Sequence, residues 1–254
     1  MEKREKNIFE RKYQNHYQEI RQIGAGGFGE VFEVESNFNH KVYAIKKIKT
    51  QQIDSMRELS LREIEILSEL KSDFVVKYFD SWIEIIIEND LDINIEYIYL
   101  QMELCKTNLK FFINNLYDTM TKIESSKYIN FYISCEIFRD LSKAVNYLHS
   151  LNTPIIHRDL KPENILISEG NNGVFFKLCD FGLAKQHQIS LHTRFVGTDS
   201  FMAPEVRLGQ KYNTKCDIYS MALIATEIFD FEDKSVNELI RLKKIRKFEK
   251  RTEL

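Results

Sequence analysis

The sequence predicts an α+β architecture in two unequal parts, a small strand-rich half followed by a larger helix-rich half. Three observations carry this prediction. Up to about residue 104 the chain runs in short segments whose apolar residues alternate, as half-buried strands require. Beyond about residue 105 the apolar residues recur at helical spacing. A glycine cluster, "GAGGFG", lies between two strand-like stretches and does not open a helix.

The elements follow in order. "YQEIRQIGAGGFGEVFEVES" reads as a hairpin with a flexible tip, and "KVYAIKKIK" as a strict period-two strand. "SMRELSLREIEILSELK" carries apolar residues at helical spacing. "VVKYFDSWIEIII" and "INIEYIYLQME" read as two strands flanking the polar "ENDLD". After Cys105 the helices begin. "FRDLSKAVNYLHS" sets Leu141, Ala144, Val145 and Leu148 on one stripe, and "CDIYSMALIATEIF" is apolar nearly all round, so a buried helix is predicted. The two halves meet near Met102 to Lys106, where a ligand cleft is expected.

Composition narrows the function classes. A chain of 254 residues with 43% hydrophobic and 29% charged residues is an ordinary globule able to bury a core. A net charge of −2 speaks against a chain-wide nucleic-acid or membrane surface. The four cysteines form no CxxC pair, so free thiols in a reducing compartment are expected, and a cytoplasmic location with them. No apolar run is long enough to span a membrane, and the charged "MEKREKNIFERK" is not expected to act as a signal peptide.

Two charges stand where apolar residues belong. Lys46 shares a strand face with Val42, Ala44 and Ile48, and Glu63 shares a helix stripe with Leu59 and Leu67. Buried singly each is costly; paired they are tolerable. On these two residues alone, a snorkelling Lys46 and a Glu63 at the core's fringe fit equally well. The glycines shift the balance, because Gly24, Gly26, Gly29 and Val31 fit G-x-G-x-x-G-x-V between strands, a flap that can approach phosphate oxygens. Lys46 would grip those phosphates and Glu63 would hold Lys46.

"IIHRDLKPENILI" then sets five strongly polar groups between apolar runs, and "FKLCDFGLAK" brings Asp180 after a strand over Val174 to Cys179. Asp159, Asn164 and Asp180 form a set. Mg²⁺ takes hard oxygens, which Asn164 and Asp180 supply; matched to the pattern by which protein kinases transfer phosphoryl groups, which these residues resemble, Asp159 would accept a hydroxyl proton and Lys161 would stabilise the transferring phosphoryl group.

Glycine loop, strand lysine, helix glutamate, "HRDLKPEN", "DFG" and "APE" (Ala203, Pro204, Glu205) occur in one order over residues 20 to 230. Together they resemble the eukaryotic protein kinases, and "HRDLKPEN" is similar to the serine/threonine class. The resemblance implies a bilobal protein kinase fold over 1–254. Its small antiparallel-sheet N-lobe, about 12–104, is expected to carry one helix, and its mostly helical C-lobe, about 105–254, is expected to lack the family's final helices. It implies ATP and Mg²⁺ as cofactors. Adenine would be read by the backbone from Glu103 to Cys105, with Met102 as gatekeeper and Ile23, Val31 and Ala44 around the nucleotide. It also implies that Asp217 holds the HRD turn, and that Leu67, His157 and Phe181 join an apolar spine.

"YFDSWIE", "LQMELC" and their neighbouring stretches resemble the kinases of the α subunit of eukaryotic translation initiation factor 2. That resemblance implies this subunit as protein partner, translation restrained under stress, and an N-lobe homodimer. Lys12 matches the basic position of the family's dimer contact, while His16 stands where its acid would be. Between "DFG" and "APE", Thr193 matches the activating phosphothreonine and Thr198 the threonine bonded to Asp159 and Lys161. Arg158, Lys185 and Arg62 are candidate cations for the phosphate. The basic run from Arg241 to Arg251 reads as a solvated helix face. A serine/threonine kinase with another substrate, of cell-cycle type, and a non-catalytic nucleotide-binding scaffold are the alternatives. Intact Lys46, Glu63, Asp159, Asn164 and Asp180 weigh against the scaffold.

Overall fold

The glycine-centred hairpin forms β1 (Tyr17–Gly26) and β2 (Gly29–Ser36), which pair antiparallel in a computed structural model that describes residues 11–26, 29–50, 54–88, 93–120, 126–170, 173–186 and 200–229. β3 (Val42–Lys49) joins β2, and β4 (Tyr78–Glu88) and β5 (Ile93–Glu103) complete a five-stranded antiparallel sheet in the order β1-β2-β3-β5-β4. A short helix α1 (Lys12–His16) precedes the sheet, and α2 (Asp54–Glu69) follows β3. The remaining described elements are mostly helical: α3 (Leu109–Met120), α4 (Ser126–His149), α5 (Pro204–Arg207) and α6 (Lys215–Ile228). Between them lie β6 (Thr107–Asn108), β7 (Ile155–Ile156), β8 (Ile165–Gly170), β9 (Gly173–Leu178) and β10 (Lys185–Gln186). The predicted α+β architecture is thus present, a sheet with one long helix followed by a helical part.

One core runs from α2 into the helical part. Leu67, Leu100, Leu141, Ala144, Val145, Leu148, Leu178 and Phe181 belong to a single buried cluster, so the stripe read on α4 faces inward as its spacing requires. Val75 and Val76 were expected to begin a strand, yet β4 starts only at Tyr78. The two valines instead cross to β9. Val75 makes a parallel bridge to Leu178, Val76 N donates to Leu178 O at 2.9 Å, and Leu178 N donates to Phe74 O at 2.9 Å. This crossing stitches the sheet's lead-in to the strand that ends just before Asp180.

The sheet's other face holds a second core that periodicity did not show. Ile45, opposite Lys46 on β3, is fully buried with Tyr13, Val34 and Tyr99. Tyr13 of α1 stacks on Tyr99, and Tyr99 on Trp82. The buried Glu84 accepts from Tyr13 N at 2.7 Å and Trp82 Nε1 at 2.8 Å. Lys12 pairs with Asp80 at 2.6 Å and lies 4.4 Å from the Trp82 ring centre. α1 is thereby fastened across β4 and β5, and Lys12 spends its charge within its own chain.

α6 departs from the prediction of a fully buried helix. Cys216, Asp217, Ser220, Met221, Ile224 and Ile228 are buried, while Ile218 is 51% exposed. Among the described residues no helix is long and apolar enough to cross a membrane. Thr193, Thr198 and the basic run from Arg241 to Arg251 lie outside the described residues.

Candidate active site

Three of the predicted charges meet. Lys46 on β3 points off the sheet toward α2, and its Nζ lies 2.9 and 2.8 Å from the two carboxylate oxygens of Glu63. The same ammonium reaches Asp180 Oδ1 at 3.1 Å. Lys46 and Glu63 side chains are 8% and 3% exposed, so the pair is buried, while Asp180 at 26% opens to the cleft. Burial opposes the charge on Lys46, but Glu63 and Asp180 outweigh it and hold its pKa above the ordinary lysine value. For Asp180 burial is likewise overcome, and Lys46 keeps its carboxyl below the ordinary range. Glu63 is deeper: burial pushes its carboxyl up against the pull of Lys46, while the Phe181 backbone N–H helps retain the charge.

A cleft of about 640 Å³ opens beside this cluster. Every residue assigned to nucleotide contact lines it: Ile23, Gly24, Gly26, Gly29, Val31, Ala44, Lys46, Met102, Glu103 and Cys105. The register explains part of this, since β3 and β5 set Ala44 opposite Met102 and Lys46 opposite Leu100. The glycines differ in their reasons. Gly29 has φ +116, and a Cβ there would stand 2.5 Å from Lys47 O, so only glycine fits. At Gly26 a Cβ would meet nothing within 4 Å, so space in the fold does not itself require glycine there. The tip, residues 27 and 28, lies outside the described residues.

The catalytic-loop motif is tightly cross-braced. Asp159 Oδ2 accepts from Lys161 Nζ at 2.8 Å and from Asn164 Nδ2 at 2.9 Å. Asn164 Nδ2 also reaches Asp159 O at 2.8 Å. Asn164 and Asp180 both line the cleft. The turn itself hangs on Asp217, fully buried on α6: its Oδ2 accepts from His157 N and its Oδ1 from Arg158 N, both at 2.9 Å. His149 Nε2 is a third neighbour at 2.8 Å. Arg158 and Asp180 hold left-handed φ values of 68 and 62, a strained backbone for non-glycine residues that such bracing maintains. His157 and Phe181, both fully buried, pack with ring centres 4.9 Å apart.

Of the candidate phosphate-binding cations, Arg158 donates from Nη1 to Tyr212 OH at 2.8 Å. Burial lowers its pKa against the pull of Tyr212, and the nearby Arg62 adds to the lowering. Lys185 pairs through its backbone with Ile156.

The sequence reading missed cleft residues that carry no motif chemistry. Val76, Leu166 and Cys179 line the cavity beside Met102, and Phe111 and Glu163 stand at the α3 side. Leu166 was findable, since it lies two residues past Asn164 on a strand whose face alternates. The cleft also contains two thiols, Cys105 and Cys179, both kept protonated chiefly by burial, with the Cys105 pKa pushed up to about 12.

Glycine flap, paired lysine and braced aspartate around one cleft define a phosphotransferase that handles nucleotide. The sequence matches the protein kinase domain family over residues 17–251, and the chain belongs to that family. It is 29% identical over 234 residues to an interferon-induced, double-stranded RNA-activated protein kinase of Mus musculus, an alignment covering 89% of this chain. It is 33% identical over 209 residues to the serine/threonine-protein kinase pakG of Dictyostelium discoideum, and 33% over 217 residues to a cGMP-dependent protein kinase, isozyme 2, of Drosophila melanogaster. These alignments cover 81% and 82% of this chain. The chain spans 42%, 15% and 20% of the lengths of those three relatives. It is a serine/threonine protein kinase domain, and such a domain implies use of ATP and Mg²⁺.

Proposed function

We propose that this kinase phosphorylates the α subunit of eukaryotic translation initiation factor 2, in the cytoplasm, and thereby restrains translation under stress. The resemblance of "YFDSWIE" and "LQMELC" to that branch supports the substrate. The mouse double-stranded RNA-activated kinase aligns over 89% of this chain at 29% identity and the other two relatives named above over 81% and 82% at 33%, so the relatives support a serine/threonine kinase and the substrate rests on those two stretches. The observation that carries the catalytic reading is the buried Lys46 held by both oxygens of Glu63 and touching Asp180.

In this reading each side chain has a task. Lys46 grips the ATP phosphates while Glu63 keeps it aimed. Among the described residues both side-chain bonds to the Asp159 carboxylate fall on Oδ2, leaving Oδ1 to take the proton as the acceptor hydroxyl attacks the γ-phosphorus and the bond to the bridging oxygen breaks, releasing ADP. Lys161 lies beside that carboxylate at 2.8 Å and reaches the transferring phosphoryl group. The donor set suits Mg²⁺: one carboxylate, Asp180, and one amide oxygen, Asn164, leave room for phosphate oxygens and water. Mg²⁺ bound there would neutralise charge on the phosphates. The cleft-facing backbone of Glu103 and Cys105 reads adenine.

The test is transfer of labelled phosphate from ATP to the purified initiation-factor subunit, set against a generic basic protein. Preferential labelling of the subunit, lost in Asp180→Ala, is the expected result. Equal labelling of both proteins would remove the substrate assignment and leave a kinase of other specificity. No transfer to either would favour the nucleotide-binding scaffold.

A further inference from the structure

Glu103 ends β5 and lines the cleft, where the function proposed above gives its backbone to adenine. Its side chain turns elsewhere and is held by four donor contacts. Oε1 accepts from Lys77 N at 2.7 Å and from Lys177 Nζ at 2.6 Å. Oε2 accepts from Lys177 Nζ at 2.9 Å and from Ser168 Oγ at 3.4 Å. The Glu103 backbone N donates in turn to Lys77 O at 2.9 Å. The side chains of Lys177 and Glu103 are only 12% and 18% exposed. No sequence motif marks Lys177, which stands 74 residues from its partner.

The position of Lys177 gives the pair a task. It lies on β9, and the chain runs from it through Leu178 and Cys179 directly to Asp180. One ion pair therefore joins the backbone facing adenine to the strand that presents the carboxylate beside the phosphates. We propose that Glu103 and Lys177 are positioning residues, whose ion pair keeps the adenine-facing end of β5 in register with the Asp180 strand so that one nucleotide meets both. A charge-assisted contact largely withdrawn from water is strong enough for this. Without Lys177 the carboxylate keeps two neutral donors and turns toward solvent, and the end of β5 moves with it. That displacement falls on nucleotide binding, because adenine contacts are made in the ground state. Proton transfer at Asp159 is left alone.

The inference rests on the nucleotide-cleft reading and not on the identity of the protein substrate, so a generic phosphoacceptor serves. In Lys177→Met, KM for ATP should rise about tenfold, the weight of one charged hydrogen-bonding group, while kcat stays within about twofold. KM for the phosphoacceptor should not move. Calorimetric ADP affinity should fall in parallel. Lys177→Arg, which keeps a cation on the same strand, should restore most of the loss. An ion pair serving only the fold would lower the melting temperature and leave KM for ATP where it was, and that result overturns the proposal. A lowered KM or a raised kcat, marking the pair as a restraint, overturns it equally. If Lys177→Met does not fold, Glu103→Gln/Lys177→Met carries the test, since it buries no lone charge. Its KM for ATP must rise by a similar factor. A wild-type chain that binds no nucleotide would strike the kinase reading itself, and this inference with it.

Discussion

Replacing Glu63 by Gln removes one charge from the buried triad and almost no volume. Lys46 then loses a bidentate carboxylate partner at 2.9 and 2.8 Å, while its contact to Asp180 at 3.1 Å remains. Breaking a buried ion pair by deleting one charge costs about 3–5 kcal/mol. Asp180 remains to neutralise the ammonium, and one amide oxygen still accepts, so the cost falls to or below the bottom of that range, roughly 2–3 kcal/mol. For a domain of this size that lowers the melting temperature by about 4–12 °C. The catalytic loss is larger in proportion, because Lys46 is drawn toward Asp180 and away from the phosphates; kcat/KM for ATP should fall by about 10- to 100-fold. Scanning calorimetry and initial rates read the two effects separately. The decisive comparison is Lys46→Met/Glu63→Leu. The charge left without its lysine is then Asp180, which opens to the cleft at 26% exposure, so stability should recover most of the single-variant loss, while phosphotransfer stays absent. A double variant as unstable as the sum of its single variants would mean that the pair does not interact, and the geometry argued above would fall with it.

Three further outcomes follow from the same structure. Asp217→Asn leaves two backbone N–H groups and His149 around a neutral amide. Arg158 then loses the brace for its left-handed backbone, and kcat should drop at least tenfold with little change in KM for ATP; an unchanged kcat refutes the bracing. Tyr13→Ala empties a 5%-exposed ring from the outer face of the sheet, and should cost about 3–5 kcal/mol in urea unfolding while kcat per folded molecule holds. A loss of kcat without a loss of stability would show that α1 acts on the site and not on the fold. Alkaline pH should unfold the protein early. Burial raises the pKa values of Tyr13, Tyr99, Cys179 and Cys216, and that of Cys105 to about 12, whereas unfolded cysteine and tyrosine titrate near 9.0 and 10.0. Folded-state values above unfolded ones mean that their contribution is complete below about pH 9 and drains away as the pH rises toward 12. The urea midpoint should be flat from pH 7 to about 8.5 and fall beyond; a midpoint that holds at pH 11 refutes the assignment.

Legibility in the sequence followed the range of the interaction. Lys46 and Glu63 were visible because each breaks an apolar pattern on its own element, and a broken pattern is local information. Asp159, Lys161 and Asn164 were visible because one short loop must carry several polar groups at once. The aromatic core over Ile45 left no such trace. β3 alternates correctly for one buried face, and whether α1 covers the other depends on Tyr13 meeting Tyr99, more than 80 residues away in sequence. Val75 and Val76 misled for a related reason: two β-branched residues before a strand read as part of it, while their backbone partners lie on β9.

Glu103 shows why even a correctly placed residue can be half read. Its location beside Met102 assigns it to the nucleotide through its backbone, and any side chain would serve that purpose. Nothing in "QMELC" says that the carboxylate faces the other way. What selects a glutamate there is Lys177, a residue whose own neighbours are apolar and whose motif begins three positions later at Asp180. The ion pair exists because β8 and β9 bring Lys177 under the end of β5, and that crossing is itself held by the Val76 and Leu178 backbone. A motif records what each residue must do to the substrate. The pairings between motifs, which set the distance from adenine to the phosphates, are a property of the assembled sheets and become readable only there.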